Sequence, residues 1–110
     1  MRNLTTILLF FLISLAASAD DRYETRRDIS YTEKTDSYSR ERLKLDVHYP
    51  VGVSGKPVIV WFHGGGLTGG NKEIPEELKE QGFVVIAPNY RLIPNVGVNE
   101  CIDDAAEAVA

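Results

Sequence analysis

Five of the seven residues that follow His63 are glycine, in the stretch "VIVWFHGGGLTGGNK" from Val58 to Lys72. Neither a helix nor a strand is expected to run through such a segment. Glycine loses more backbone freedom on ordering than any other residue, and it packs nothing in return. The residues just before it, Pro57 to Phe62 (PVIVWF), form a continuous apolar run rich in β-branched side chains. That composition reads as a strand buried on both faces, as in a parallel sheet. The chain is therefore constrained at one point: a buried strand must end in a loop whose bare backbone lets another group come close.

The flanking segments fit a sheet layered with helices. Leu43, Leu45, Val47 and Tyr49 alternate with Lys44, Asp46 and His48, the period of a strand with one apolar and one polar face. Pro50 ends it, and "VGVSGK" makes a loop. After the glycines a short helix is expected over Pro75 to Gln81. Pro75 would take its first position, Glu76 and Glu77 would face the positive N-terminal end, and Gly82 would follow the C-terminus. Phe83 to Ala87 (FVVIA) reads as a second buried strand. Asn99 is placed to cap a last helix, on which Ile102, Ala105, Ala106 and Val109 form one apolar stripe. Upstream, residues 20–42 are polar. Asp28 to Glu33 gives only a faint strand signal, and "KTDSYSRE" reads as a turn or loop. Buried strands alternating with helices imply an α/β fold with a parallel sheet. The sequence reaches Ala110 within an unfinished helical stripe, so the expectation is the N-terminal portion of a longer domain.

Residues 1–19 differ from the rest. Arg2 is the only charge before Asp20, Leu4 to Ala17 is apolar, and Ala17-Ser18-Ala19 is a small-x-small site. This is the pattern of a secretory signal peptide cleaved after Ala19. The apolar run is short for a membrane span, which takes about 20 residues. A secreted or periplasmic protein is expected, with no membrane contact after cleavage. The whole chain has a formal charge of −4, and loss of Arg2 makes the remainder one unit more acidic. No basic patch exists to release counterions from phosphates, which argues against nucleic acid as a partner. Cys101 is the only cysteine, so neither an internal disulfide nor a cysteine metal cluster can form. No cofactor and no metal are expected.

Several chemistries use glycines after a strand. Gly64-x-Gly66-x-x-Gly69 matches a dinucleotide fingerprint literally. However, the next strand ends Ala87-Pro88-Asn89-Tyr90, with no carboxylate for the ribose. A P-loop fails because Asn71 follows Gly70 where lysine is required, and Glu73 replaces the hydroxyl that holds magnesium. A plain turn needs one or two glycines, not five. An oxyanion hole fits better: backbone N–H groups aimed at a carbonyl oxygen that becomes negative during acyl transfer. A strand followed at once by His-Gly-Gly-Gly is the lipase and esterase form of that motif.

With "LKLDVHYP", "GFVVIAPNYRLIPN" and "CIDDAAEAVA" in the same order and spacing, Leu43 to Ala110 resembles the α/β-hydrolase fold esterases. It looks most like the branch of hormone-sensitive-lipase-like enzymes and acetyl and feruloyl esterases. The resemblance implies a mostly parallel sheet with helices on both faces and strand order 1-2-4-3-5-6-7-8. Residues 43–49, 57–62 and 83–87 would be strands 2, 3 and 4, with strand 3 an open edge until strand 5 covers it. It also implies that the Gly65 and Gly66 N–H groups are oxyanion donors and that Leu67 lines the acyl side. His63 would position its loop through nearby backbone rather than act as the base, Tyr90 would flank the site or pack, and Arg91 would tie its loop.

The nucleophile is expected in Gly-x-Ser-x-Gly on a strand-to-helix elbow. Ser14, Ser18, Ser30, Ser37, Ser39 and Ser54 all lack that context, although Gly52-Val53-Ser54-Gly55 comes close. Asp103 and Asp104 precede the place of the nucleophile, which suits helix solvation or pairing with a neighbouring loop better than the triad acid. Cys101, on the core side of a helix, is a poor nucleophile. The expectation is a secreted serine carboxylic-ester hydrolase acting on small-molecule or polysaccharide-borne esters, with nucleophile, acid and base outside residues 1–110. A non-catalytic module of the same fold or a related peptidase is the alternative.

Overall fold

The computed structural model describes residues 22–110, so the proposed leader, residues 1–19, lies outside the described residues. Four strands form one sheet in the spatial order β1-β2-β4-β3. They are β1 (Tyr23–Ser30), β2 (Lys44–Pro50), β3 (Val58–Val60) and β4 (Val84–Pro88). Helix α1 (Ser37–Arg42) joins β1 to β2, and α2 (Val98–Val109) follows β4. The strand order is the one the resemblance implied. Parallel pairing is confined to β3 and β4, whereas β2 runs antiparallel to both β1 and β4. The connection from β3 to β4 crosses over and the other two do not.

β1 was foreseen only as a faint strand further along. It starts earlier and is carried by pairing with β2 rather than by its own composition, since almost all of it is exposed. Its register shifts between Arg26 and Ile29. Asp28 takes a left-handed backbone (φ 56°) there, and its N–H donates to Asp46 Oδ1 at 2.9 Å. This β-bulge therefore leaves no orphan donor at Asp28. The "KTDSYSRE" segment contains a helix instead of a plain turn. Asp36 caps α1 by accepting from the Ser39 N–H at 2.9 Å, and the helix closes with Leu43 N–H to Ser39 O at 2.8 Å.

β2 departs from the two-faced expectation, because Asp46 and His48 are more buried than Val47 and Tyr49. Its polar face is covered: Lys72 pairs with Asp46 at 2.9 Å, and the Tyr23 ring stacks on His48 at 5.4 Å. In β4, Val85 and Ala87 are fully buried. β3 is shorter than Pro57 to Phe62, although Pro57 O and the Trp61 N–H extend its ladder to Val84 and Ile86. Among the described residues it is an edge strand, with Val58 56% exposed and Trp61 42% exposed.

Two helix expectations need correction. Pro75 to Gln81 forms only a 3₁₀ turn at Glu76–Leu78, because Lys79 is extended and Glu80 turns left-handed at φ 60°. In α2 the cap is Gly97 rather than Asn99, with the Gly97 N–H donating to Glu100 Oε2 at 3.0 Å. The helix is also rotated from its apolar stripe. Cys101 and Asp104 face inward, while Ile102 is 61% and Val109 63% exposed. The inward Asp104 carboxylate is paired there with Arg91 Nη2 at 2.8 Å.

Candidate functional site

The glycine loop leaves β3 at its C-terminal end, where open α/β sheets bind ligands. It closes on itself: the Thr68 and Gly69 N–H groups donate to Gly65 O at 3.1 and 3.2 Å. Gly65 has φ 132°, and a Cβ there would stand 2.2 Å from Gly69 O. Gly70 has φ 97°, and a Cβ there would meet Gly64 O at 2.4 Å and His63 Nδ1 at 2.6 Å. Glycine is thus required at both positions by space as well as by φ. Gly66 is left-handed (φ 62°) but open, and Leu67 is left-handed at φ 65°. Among the described residues, the N–H groups of Gly65 and Gly66 make no hydrogen bond.

His63 is buried, and its Nδ1 lies 2.8 Å from Gly64 O. A carbonyl only accepts, so Nδ1 is the donor in this bond. Among the described residues Nε2 has no partner. The imidazole stacks on Tyr90 with centroids 4.5 Å apart, and the Tyr90 hydroxyl donates to His63 O at 2.7 Å. Phe62, His63, Leu67, Tyr90, Cys101, Ile102 and Ala105 surround a mostly apolar hollow of about 270 Å³. His63, Leu67 and Tyr90 are thereby brought together, while Gly65 and Gly66 do not line the hollow.

The side chains that brace the loop were mostly missed in the sequence. Asn89 Oδ1 accepts the Lys72 N–H at 2.6 Å, and Asn89 Nδ2 donates to Asn71 Oδ1 at 3.3 Å. The Tyr31 hydroxyl donates to Asn89 O, and burial pushes the Tyr31 phenol well above its ordinary range, helped by the Asp104 and Glu107 charges. Lys72 Nζ bridges Asp28 Oδ1 at 2.8 Å and Asp46 Oδ1 at 2.9 Å. Burial pulls the Lys72 ammonium down, but these carboxylates outweigh it and leave it raised. Arg91 grips the fully buried Asp104, Nη2 to Oδ1 at 2.8 Å and Nε to Oδ2 at 2.9 Å. Asp104 thus pairs with a neighbouring loop. Asn71 and Lys72 belong to the glycine stretch and Asn89 adjoins Tyr90, so proximity to the motif was the one available signal.

Burial pushes the Cys101 thiol up, with Asp104 adding to it, and Sγ donates to Arg91 O at 3.1 Å. A protonated, committed thiol is a poor nucleophile. Among the described residues no group of three His, Cys, Asp or Glu side chains could hold a metal ion. None of their helices is long and apolar enough to cross a membrane.

The BD-FAE family model matches residues 45–110. Fumonisin B1 esterase of Sphingopyxis macrogoltabida is 39% identical over 59 residues, which is 48% of this chain and 11% of that protein. Esterase B of Lactobacillus rhamnosis superposes with a TM-score of 0.66 at 23% identity, covering 99% of this chain and 39% of that one. The C6-C4 SN3 inhibited form of Esterase B gives 0.66 at 22% identity over 99% and 38%. The fold is that of an α/β-hydrolase, and the chain spans well under half of the proteins it matches.

Proposed function

The chain belongs to the BD-FAE family, and from that membership we propose that it supplies the oxyanion loop of a secreted serine carboxylic-ester hydrolase. The observation that carries this reading is the pair of uncommitted N–H groups at Gly65 and Gly66, on a loop whose closure admits only glycine at 65 and 70. Attack of a serine on an ester carbonyl places negative charge on oxygen. Preorganised donors stabilise that charge by roughly 3–4 kcal/mol each. In this reading His63 holds the loop through Gly64 O and its stack on Tyr90, and it does not act as base. Leu67 and Tyr90 border the acyl group. The serine, its histidine and its acid come from chain beyond residue 110, in the order Ser, Asp/Glu, His. Substrates are small-molecule or polysaccharide-borne carboxylic esters, and residues 1–19 are the export signal. A relative named for the ester it cleaves supports the same reaction class.

Two assays with p-nitrophenyl acetate test this. The full-length protein is expected to hydrolyse it with an acyl-enzyme burst. Residues 20–110 alone are expected to be silent. Turnover by that fragment that survives Ser54→Ala but is abolished by His63→Ala would overturn the assignment of His63.

A further inference from the structure

Arg42 ends α1, just before the region matched by the family model, yet it reaches both borders of the site. Its Nε and Nη2 donate to Tyr90 O at 3.1 and 3.0 Å. Its Nη1 donates to Asn71 Oδ1 at 3.0 Å, and Nη2 lies 3.4 Å from Gly70 O. Tyr90 in turn holds the start of the glycine loop, through its hydroxyl on His63 O and its ring on the imidazole. Both ends of the loop are therefore tied to one residue. The His63 end is tied through the Tyr90 side chain, and the Gly70 end is tied through Arg42 to the Tyr90 carbonyl.

We propose that Arg42 is a positioning residue for ester hydrolysis, setting the Gly65 and Gly66 N–H groups by clamping the Gly70-Asn71 end of their loop to the exit of β4. This rests on the esterase reading above. Oxyanion donors act because they are already in place when the charge develops. Six residues, 64–69, span the two ties, and five of the eight from His63 to Gly70 are glycines, so the loop depends on its hydrogen bonds for its shape. The Ile93 N–H on Leu67 O at 2.8 Å and the Lys72 N–H on Asn89 Oδ1 at 2.6 Å also hold the loop, and Arg42 adds the tie at Gly70 and Asn71, next to the glycines themselves. The guanidinium suits the task because it is a planar fork that serves three acceptors on two segments. Lysine would offer one point charge in the same space. The fork is itself well seated: the Asp36 cap holds one end of α1, and fully buried Leu43 follows Arg42 at the other.

The test uses the full-length protein. Arg42→Ala is expected to lower kcat about tenfold or more, with KM changed less than about twofold, since misplacement on the ångström scale is costly. Arg42→Lys is expected to recover only part of the loss. Millimolar guanidinium is expected to restore turnover to Arg42→Ala, and equal urea is not. Amide exchange should rise across Gly64 to Lys72 and stay unchanged in α2. A kcat within about twofold of wild type, or a loss with α2 exchange raised equally and no guanidinium recovery, overturns the proposal. If the unaltered protein cleaves no ester, the esterase reading fails instead. Exchange in the loop then still decides whether Arg42 holds it: unchanged exchange refutes the clamp, and raised exchange supports it.

Discussion

Two glycines of one loop face different constraints. Gly65 is packed so that a methyl would lie 2.2 Å from Gly69 O, whereas Gly66 has open space and only its φ of 62° to satisfy. Gly65→Ala is expected to open the loop, seen as loss of the Thr68 and Gly69 amide protection together with activity. Gly66→Ala is expected to cost roughly 1–3 kcal/mol of backbone strain. If its N–H is an oxyanion donor, kcat should fall by roughly 10²-fold once the donor swings away, while the thermal midpoint drops by roughly 2–4 °C for each kcal/mol of that strain. His48 provides a pH dependence. Burial, then the Lys79 charge, holds its imidazole below the ordinary 6.5. The folded form therefore binds fewer protons than the unfolded chain below that pH. His48 contributes stability that is complete above 6.5 and is lost as pH falls through the depressed value. Urea midpoints at about pH 7.5 and about pH 5.5 should differ more for the unaltered chain than for His48→Gln.

Among the elements, the Arg91–Asp104 pair matters most to how α2 docks. Asp104 is fully buried and carries both prongs of the guanidinium. Asp104→Ala strands a mostly buried cation and should cost about 3–5 kcal/mol, checked by urea unfolding of the full-length protein. β3 tells a different story. Its exposed edge carries Val58, Trp61 and Phe62, an open template for another strand. Residues 20–110 alone should self-associate with rising concentration, and Val58→Lys should reduce this in sedimentation velocity. These elements also show what could be read in advance. β3 and β4 were legible because runs of β-branched residues leave few alternatives. The direction of α2 on the sheet was not. Periodicity scores apolar residues, and here the inward side carries a carboxylate paired with an arginine seven residues before the helix. α1 escaped notice because six residues form no stripe, and its main local mark is Asp36 three positions before Ser39.

For the whole molecule, the strand order followed from the family resemblance and the glycine loop from the residues themselves, but the braces followed from neither. Arg42, Tyr31 and the Asp28–Asp46–Lys72 cluster each reach partners that the pairing of β1, β2 and β4 brings near. No local pattern announces a contact such as Arg42 to Tyr90, which spans 48 positions. Export is checked at the same scale. N-terminal sequencing of the protein recovered from its expressing cells and their medium should begin at Asp20, and a start at Met1 would remove the leader from the reading. The bulge at Asp28 adds a constraint on chain length. One extra residue in β1 is absorbed at the place where Asp28 and Asp46 receive Lys72. A single-residue deletion between Arg26 and Ile29 would straighten the strand and take Asp28 away from Lys72. Residues 52–56 carry no such coupling: the Val51 N–H still donates to Arg22 O at 2.7 Å, but a Cβ at Gly52 or Gly55 would meet nothing within 4 Å. Natural length variation, peptide tags and permuted termini should therefore collect between Val51 and Lys56, and β1 should keep its residue count even where its side chains drift.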